Sequence, residues 1–509
     1  MFSKFIYLDN EIEKYFSSFE DPFKKVKEID GDVYRKTANR ITKRVVLNNK
    51  TYFLKYHGPI GYVEILKNIL KFQLPTVSAR KEWNALQKLQ SKGINCPSPI
   101  AICSKGVNPA KSHSFIITES LEPNISIEDA FELKAVNKKS VSEKKQIIER
   151  VGSICRNLHS IGLNHRDLYL CHFLIDATLN PDKPISLIDL HRAQIRNKVP
   201  ERWLVKDIGG LYHSAIRFGI TERDCYRFLM VYFNCSLRDL FSNHGEFIQK
   251  ARKRAFSMYM KPVLSEIDIT SKKALQDQSL YIKSVTKYHR WIGLKHKMSE
   301  DLLTLIQDEE ALLSLGEVVK NEEGHLVVKI DFSGRSYFIK KYRIKNFFHM
   351  VRRLFRKTRA RNSWEVLHWF HSVGIRTMQP VLMYEELGFT GTLNSVLVTE
   401  EIDGKRLDHK ILEKEEPVKT ASSLHNFFKR MQWIGFHHGD AKSSNFFISK
   451  NRLVVFDLDS SKRHLKESSL TRKIEIDKRR ILRSLKDSTN ITEALKLRFK
   501  GGDIENRNS

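Results

Sequence analysis

The sequence predicts an α+β protein built as two tandem, similar units, each with a small, mainly β first lobe and a mainly α second lobe. Three observations predict it. At 509 residues, 41% of them hydrophobic and 29% charged, the chain is too long for one core and apolar enough to bury two large ones. Segments of helical and of strand spacing are both present. And one ordered set of segments occurs twice.

In the first half the set opens with "TYFLKY" (51–56), an alternating strand that presents Lys55. Next comes "ARKEWNALQKLQSKGI" (79–94), a helix stopped by glycine. In "KKQIIERVGSICRNLHSIG", Ile147, Ile148, Val151, Ile154, Cys155 and Leu158 fall at helical spacing, and Gly162 ends the run. A loop, "NHRD", carries Asp167. "HFLI" (172–175) and "ISLIDL" (185–190) read as short strands on either side of the turn "NPDKP", and the second of them ends at Asp189.

The second half keeps the order. "SYFIKK" (336–341) presents Lys340, and "ARNSWEVLHWFHSVGI" (360–375) is the following helix. "SSLHNFFKRMQWIG" (422–435) is a helix closed by Gly435. "FHHGDAKSSN" then puts Asp440 where the first half has Asp167, and "FFIS" and "RLVVFDLD" are strands joined at "KN", with Asp457 at the end of the second. These correspondences place one domain at 1–260 and another at 305–509, with 261–304 as a polar, partly helical connector.

Each unit thus offers a strand lysine, a helix, a loop aspartate and a strand-end aspartate. Phosphoryl transfer asks for that set: a cation on the nucleotide phosphates, an acceptor for the hydroxyl proton and a carboxylate for Mg²⁺. An "HRD" tripeptide alone is weak, and the ordered set is the signal. Asp440 and Asn445 are spaced as in H-R-D-x-x-x-x-N, which lets the asparagine reach a second metal position. The same step from Asp167 reaches His172. Neither half has a G-x-G-x-x-G: Gly31 stands alone ahead of Lys55, and Gly316, Gly324 and Gly334 are scattered ahead of Lys340, which argues against a protein substrate.

From about residue 22 to 235, through "DPFKKVKEIDGDVYRK", "TYFLKYH", "ARKEWNAL", "SFIITESL", "NHRDLYLCHFLI", "LIDLHRAQIR" and "VPERW", the chain closely resembles the lipopolysaccharide core heptose(I) kinases of the Kdo/WaaP family. The resemblance implies a protein-kinase-like fold and ATP-dependent phosphorylation of the first inner-core heptose. It assigns Asp167 as catalytic base, Lys55 and Glu82 as the nucleotide-positioning pair, and Asp189 as metal ligand. His172 belongs to the family's own "CHF" pattern. Residues 325–460 resemble the same group more distantly and imply Lys340, Asp440, Asn445 and Asp457 in the matching roles. One departure stands out: with Trp364 set on Trp83, Ser363 occupies the place of Glu82. The nearest glutamate, Glu365, lies about 200° round the helix. Either Lys340 is held differently or the second site is slower or inactive.

The balance of 88 Lys and Arg against 59 Asp and Glu gives +29, which favours a polyanionic partner. A phosphorylated glycolipid acceptor with its lipid A and an anionic membrane surface fit that charge. Nucleic acid is not expected, because no helix-turn-helix, zinc or single-strand-binding signature accompanies it. "KKYRIKNFFHMVRRLFRKTRAR" (340–361) reads as a basic amphipathic helix suited to lipid headgroups, and "GYVEILKNILKF" (61–72) as its less charged counterpart. The six cysteines show no metal spacing and read as reduced thiols. No signal peptide or membrane span is expected, and the reading is a cytoplasmic enzyme, peripheral on the inner membrane. The alternatives are a kinase whose second domain is non-catalytic, and a phosphotransferase for another small hydroxyl compound.

Overall fold

The computed structural model describes all residues except 1–2, 17–20, 38, 63–64, 66–77, 107, 109, 134–140, 219, 273–279, 345–356, 389–390, 408–415, 465, 486–487 and 505–509. It divides into two compact units, Met1–Ala255 and Phe256–Ser509.

In the first unit six antiparallel strands stand in the order Ser3–Leu8, Pro99–Lys105, His113–Glu119, Lys50–His57, Arg40–Leu47, Asp32–Thr37. The central hairpin turns at Asn48 and Asn49, whose φ angles of 48° and 60° match the twist of a two-residue turn. The turn sets the register, pairing Leu47 with Lys50 and Thr42 with Lys55. With side chains alternating, Tyr52, Leu54 and Tyr56 enter the core and Lys55 faces away from it. The core side is closed by the helix Pro22–Glu28, capped by Asp21 and carrying proline in its first turn. Its Phe23, together with Phe5, meets Phe115 edge-on at 5.2 and 5.9 Å. Such contacts are worth about 0.5–1.5 kcal/mol each beyond area burial. The other face of the sheet takes the helix Arg80–Gln90, which buries Trp83, Leu86 and Leu89 along one stripe and Glu82 beside them.

The second lobe of this unit rests on Val141–Ser160, Glu201–Ile216 and Glu222–Phe233, and on Leu237–Ile267, within which the division of the chain falls. Short ladders hold the loops between the first two helices: Phe173–Asp176 pairs with Ser186–Leu187, and Leu163–Asn164 with Gln194–Ile195. Gly162 permits the second ladder. A Cβ there would lie 1.9 Å from the Arg196 carbonyl carried by the opposing strand, and its φ is 79°.

The second unit has a seven-stranded sheet in the order Tyr281–Val285, His289–Leu294, Pro380–Gly388, Gly391–Glu400, Arg335–Tyr342, His325–Phe332, Glu317–Glu322. The expected connector at 261–304 is therefore not a connector. Two of its segments are strands of this sheet, with Ile292 and Leu294 in the core, and Glu300–Gln307 packs Leu302 and Ile306 beneath it. Lys283, His289 and Arg290 within the strands and the lysines and histidine around them disguise a half-buried hairpin as a polar linker. The helical half is Pro417–Ile434, Glu467–Ser484 and Thr489–Ile504. The proposed membrane-facing helix at 340–361 falls largely, and its counterpart at 61–72 mostly, outside the described residues, apart from strand residues at 340–342 and the helix start at 359–361. Among the described residues no helix is long and apolar enough to cross a membrane, and all six cysteines are free.

Candidate active site

The lysine strand and the helix behind it create the first cleft. Lys55 Nζ lies 2.5 Å from Glu82 Oε1 and 3.4 Å from Asp189 Oδ1, so residues from a strand, a helix and a strand end meet at one point. Arg40, beside them on the next strand, is 3.6 Å from Asp189. Burial works against the Lys55 ammonium, but the charges of Glu82 and then Asp189 outweigh it and raise its pKa. Burial likewise opposes the Asp189 carboxylate. The hydrogen bond from His191 (2.7 Å) and the Lys55 charge nevertheless hold it far below the usual carboxylate range. His57, buried beside Arg40 and Lys55, is pushed down to about 3 and stays neutral. Asp189 itself has φ 62° and ψ 51°, and Asp457 repeats this with 52° and 58°. A left-handed aspartate costs on the order of 1 kcal/mol, and such strain concentrates at functional sites.

The loop aspartate is fixed from below. Backbone N–H groups of His165 and Arg166 donate to Asp207 at 2.7 and 2.8 Å, and His165 Nε2 bonds the carbonyl of Ile188 at 2.9 Å, one residue before Asp189. The Asp167 carboxylate accepts from Arg192 at 2.9 and 3.0 Å. His172 Nδ1 donates to the Asp167 carbonyl at 2.7 Å, which directs Nε2 toward Asp189, 3.6 Å away.

The second cleft repeats the scaffold. His438 and Gly439 N–H groups donate to Asp477 at 2.8 and 3.0 Å, and His438 Nε2 bonds the Phe456 carbonyl at 3.0 Å. Asn445 Nδ2 donates to the Asp440 carbonyl at 2.7 Å, the tether that His172 makes in the first unit. Asp440 faces Lys442 at 3.1 Å and Arg480 at 3.6 Å. Lys340 pairs with Asp457 at 2.5 Å and Asp459 at 3.8 Å. Burial acts to lower its pKa, and Tyr342, Asp457 and Asp459 together raise it.

Glu365 does not reach Lys340. It pairs with Lys357 at 2.5 and 2.7 Å and with Arg361 at 3.6 Å. The missing helix carboxylate is replaced from another element: Asp459, two residues past Asp457, stands where the first unit has His191. The cleft guanidinium has moved too. Arg359, at the start of the helix, grips Asp459 at 2.5 and 2.9 Å, whereas His325 holds the strand position of Arg40. Both clefts therefore hold two cations and two carboxylates, delivered from different positions.

Compared with known proteins, residues 24–232 and 315–502 match the model of the lipopolysaccharide kinase (Kdo/WaaP) family, well over half of the chain. The chain belongs to that family. It is, by that membership, an enzyme that phosphorylates lipopolysaccharide sugars. A lipopolysaccharide core heptose(I) kinase WaaP of Escherichia coli is 41% identical over 239 residues, 46% of this chain and 90% of the relative. The enzyme of that name from Pseudomonas aeruginosa is 38% identical over 246 residues, 47% of this chain and 90% of the relative. A solved structure titled WaaP in complex with acyl carrier protein is 32% identical, covering 50% of this chain and 99% of its own, with a TM-score of 0.42.

For a kinase of this family the donor sets fit a Mg²⁺–nucleotide. Asp189 and Asp457 offer carboxylate oxygens and Asn445 an amide oxygen of the kind Mg²⁺ takes when phosphates provide the rest, whereas the imidazole of His172 is a poor match for an oxygen-seeking cation and leaves Asp189 the main ligand in the first cleft. Among the described residues no set of three or more His, Cys, Asp or Glu side chains forms a closed metal cage. Sequence reasoning brought Lys55, Glu82, Asp167, His172 and Asp189 together, and likewise Lys340, Asp440, Asn445 and Asp457. It missed Asp207, Asp477, Arg40, Arg192, Arg359 and Asp459. For Asp207 a signal was present, a carboxylate at the head of the uncharged run 208–211 of a helix that is buried all round at that point.

Proposed function

We propose that the first unit is an ATP- and Mg²⁺-dependent kinase for the inner-core heptose of lipopolysaccharide. The second unit, divided from it at 255/256, is a second protein-kinase-like domain of the same family, with another core sugar such as Kdo as its acceptor. The observation that carries the first part is the junction of Lys55, Glu82 and Asp189 beside a tethered Asp167, in a unit whose relatives are named heptose(I) kinases. Lys55, held by Glu82, orients the nucleotide phosphates. Asp167 accepts the proton of the sugar hydroxyl as its oxygen bonds the terminal phosphorus and the bridging oxygen departs with ADP. Arg192 holds the Asp167 carboxylate in place until the acceptor hydroxyl takes up the remaining carboxylate lone pairs. Asp189, with His172 Nε2 3.6 Å away, would be the main holder of Mg²⁺, whose charge would offset that of the phosphates. A net charge of +29 supports a peripheral site of action on the anionic cytoplasmic leaflet, where the acceptor would be met.

A non-catalytic second unit is the competing reading, favoured by Ser363 in the place of Glu82. Weighing the products formed from ATP and unphosphorylated core glycolipid separates the two. Asp167→Ala should remove the heptose phosphate, and Asp440→Ala should remove a second phosphate while leaving the first. A product of Asp440→Ala identical to wild type would return the second unit to a non-catalytic role.

A further inference from the structure

Beside Asp167 the first unit gathers positive charge that the nucleotide side of the cleft does not use. Arg166, Arg196, Arg202 and Lys206 place their cationic groups 5.2, 5.4, 5.3 and 5.3 Å from the centre of the Trp203 ring. Arg192 joins them from the turn after Asp189. Among the described residues Asp167, bound by Arg192, is the carboxylate that pairs with this group. The crowding is unfavourable as it stands. Burial and then Arg192 lower the pKa of Arg166, and burial, Arg166 and Arg192 lower that of Lys206.

Arg166 is also held at a φ of 73°, a region that disfavours an arginine. The second unit shows that the loop does not need one: the matching residue is Gly439, at 86°, for which the conformation costs nothing. Ser460, His464 and Ile476 likewise stand where the first unit has Arg192, Arg196 and Lys206. The two clefts therefore agree in their charge inventory toward the nucleotide and differ next to the base. The second unit keeps Lys442 and Arg480 on Asp440 but has neither the strained arginine nor the further cations gathered at Trp203, and that excess in the first cleft points to a ligand that offsets it.

We propose that the cations around Trp203 form an anion subsite for the acceptor. It takes a sugar-acid carboxylate or a phosphate monoester of the glycolipid adjacent to the hydroxyl that Asp167 deprotonates. Guanidinium forks suit either anion. This rests on the first cleft being the glycolipid kinase.

The test uses the full chain as wild type, Arg166→Gly and Lys206→Gln, with three acceptors: intact core glycolipid, the same with its phosphates removed, and the same with its carboxylates reduced to alcohols. Each variant should raise the KM for intact acceptor at least about ten-fold, the worth of one charge-assisted hydrogen bond, while kcat and the KM for ATP move less than about two-fold. The penalty should vanish on whichever stripped acceptor lacks the recognised anion, which names its source. An unchanged acceptor KM, a penalty on ATP instead, or a penalty that persists on both stripped acceptors overturns the subsite. If the wild type phosphorylates no core glycolipid, the kinase reading has failed, and calorimetry with deacylated core oligosaccharide decides the subsite alone. Binding at least about ten-fold weaker in Arg166→Gly supports it, and equal binding overturns it.

Discussion

Asp459 stands 3.8 Å from the ammonium of Lys340, in the role that Glu82 fills beside Lys55. The carboxylate has moved from the helix to the turn after Asp457, and the two positions are linked in each unit: glutamate with histidine in the first, serine with aspartate in the second. In a Lys55→Ala background, which silences the first cleft, Asp459→Asn should weaken ATP binding at the second by about ten-fold, as expected for loss of one charge-assisted contact. The double change Asp459→His with Ser363→Glu, which rebuilds the first unit's arrangement, should recover most of it. Isothermal titration reads both. A double variant no better than Asp459→Asn alone would show that the two positions do not compensate.

Glu82 is 2% exposed and bonds Lys55 at 2.5 Å. Glu82→Gln removes one charge of a buried pair and leaves the lysine to Asp189 alone. Stability should fall by about 1–3 kcal/mol, and kcat/KM by ten-fold or more, because a Lys55 drawn onto Asp189 is displaced from the phosphates. Urea denaturation and steady-state kinetics check the two parts separately.

Asp207, fully buried, accepts the N–H groups of His165 and Arg166 and lies 3.3 Å from His159 Nε2. Asp207→Ala strands both donors and should destabilise by about 2–4 kcal/mol. It should also lower kcat by misplacing Asp167 without altering ATP affinity in proportion. Equal loss in both constants would mean that the residue supports the fold and not the loop.

The parts of the site that were legible in the sequence are those whose spacing is local. Lys55 and Lys340 sit on alternating strands, and Asp167 to His172 and Asp440 to Asn445 lie within single loops, so periodicity and separation were enough. Asp459 and Arg359 were hidden because their partnership joins elements far apart in the chain, and a swap between a helix and a turn leaves no trace in either segment alone. The strands Tyr281–Val285 and His289–Leu294 were missed for the reverse reason. Their buried Tyr281, Ile292 and Leu294 are too few to stand out among lysines and histidines, and only pairing with Pro380–Gly388 makes them part of a sheet.

Two buried histidines give acid sensitivity a sign. His57 and His368, the latter 3.3 Å from the Tyr281 hydroxyl, are both pushed down to about 3, chiefly by burial. The unfolded chain takes up protons on them near the ordinary histidine value of about 6.5 and the folded chain does not. Their contribution is therefore present above that pH and lost as pH falls from it toward 3. At pH 5 each accounts for about 2 kcal/mol of lost stability. Asp189, held far below the carboxylate range, keeps its contribution between pH 7.5 and 5.0, because the unfolded carboxyl takes up its proton only near about 3.9. Urea titrations at pH 7.5 and 5.0 should show the loss, and His368→Phe should remove the share of the second unit. An identical pH dependence in that variant would exclude His368 as a source.

The most direct measurement is the number of nucleotides bound per chain. Equilibrium dialysis of a non-hydrolysable ATP analogue with Mg²⁺ should give two sites in the wild type, and one in either Lys55→Ala or Lys340→Ala. A single site in the wild type, lost in Lys55→Ala and untouched by Lys340→Ala, would contradict the claim that both clefts hold a nucleotide.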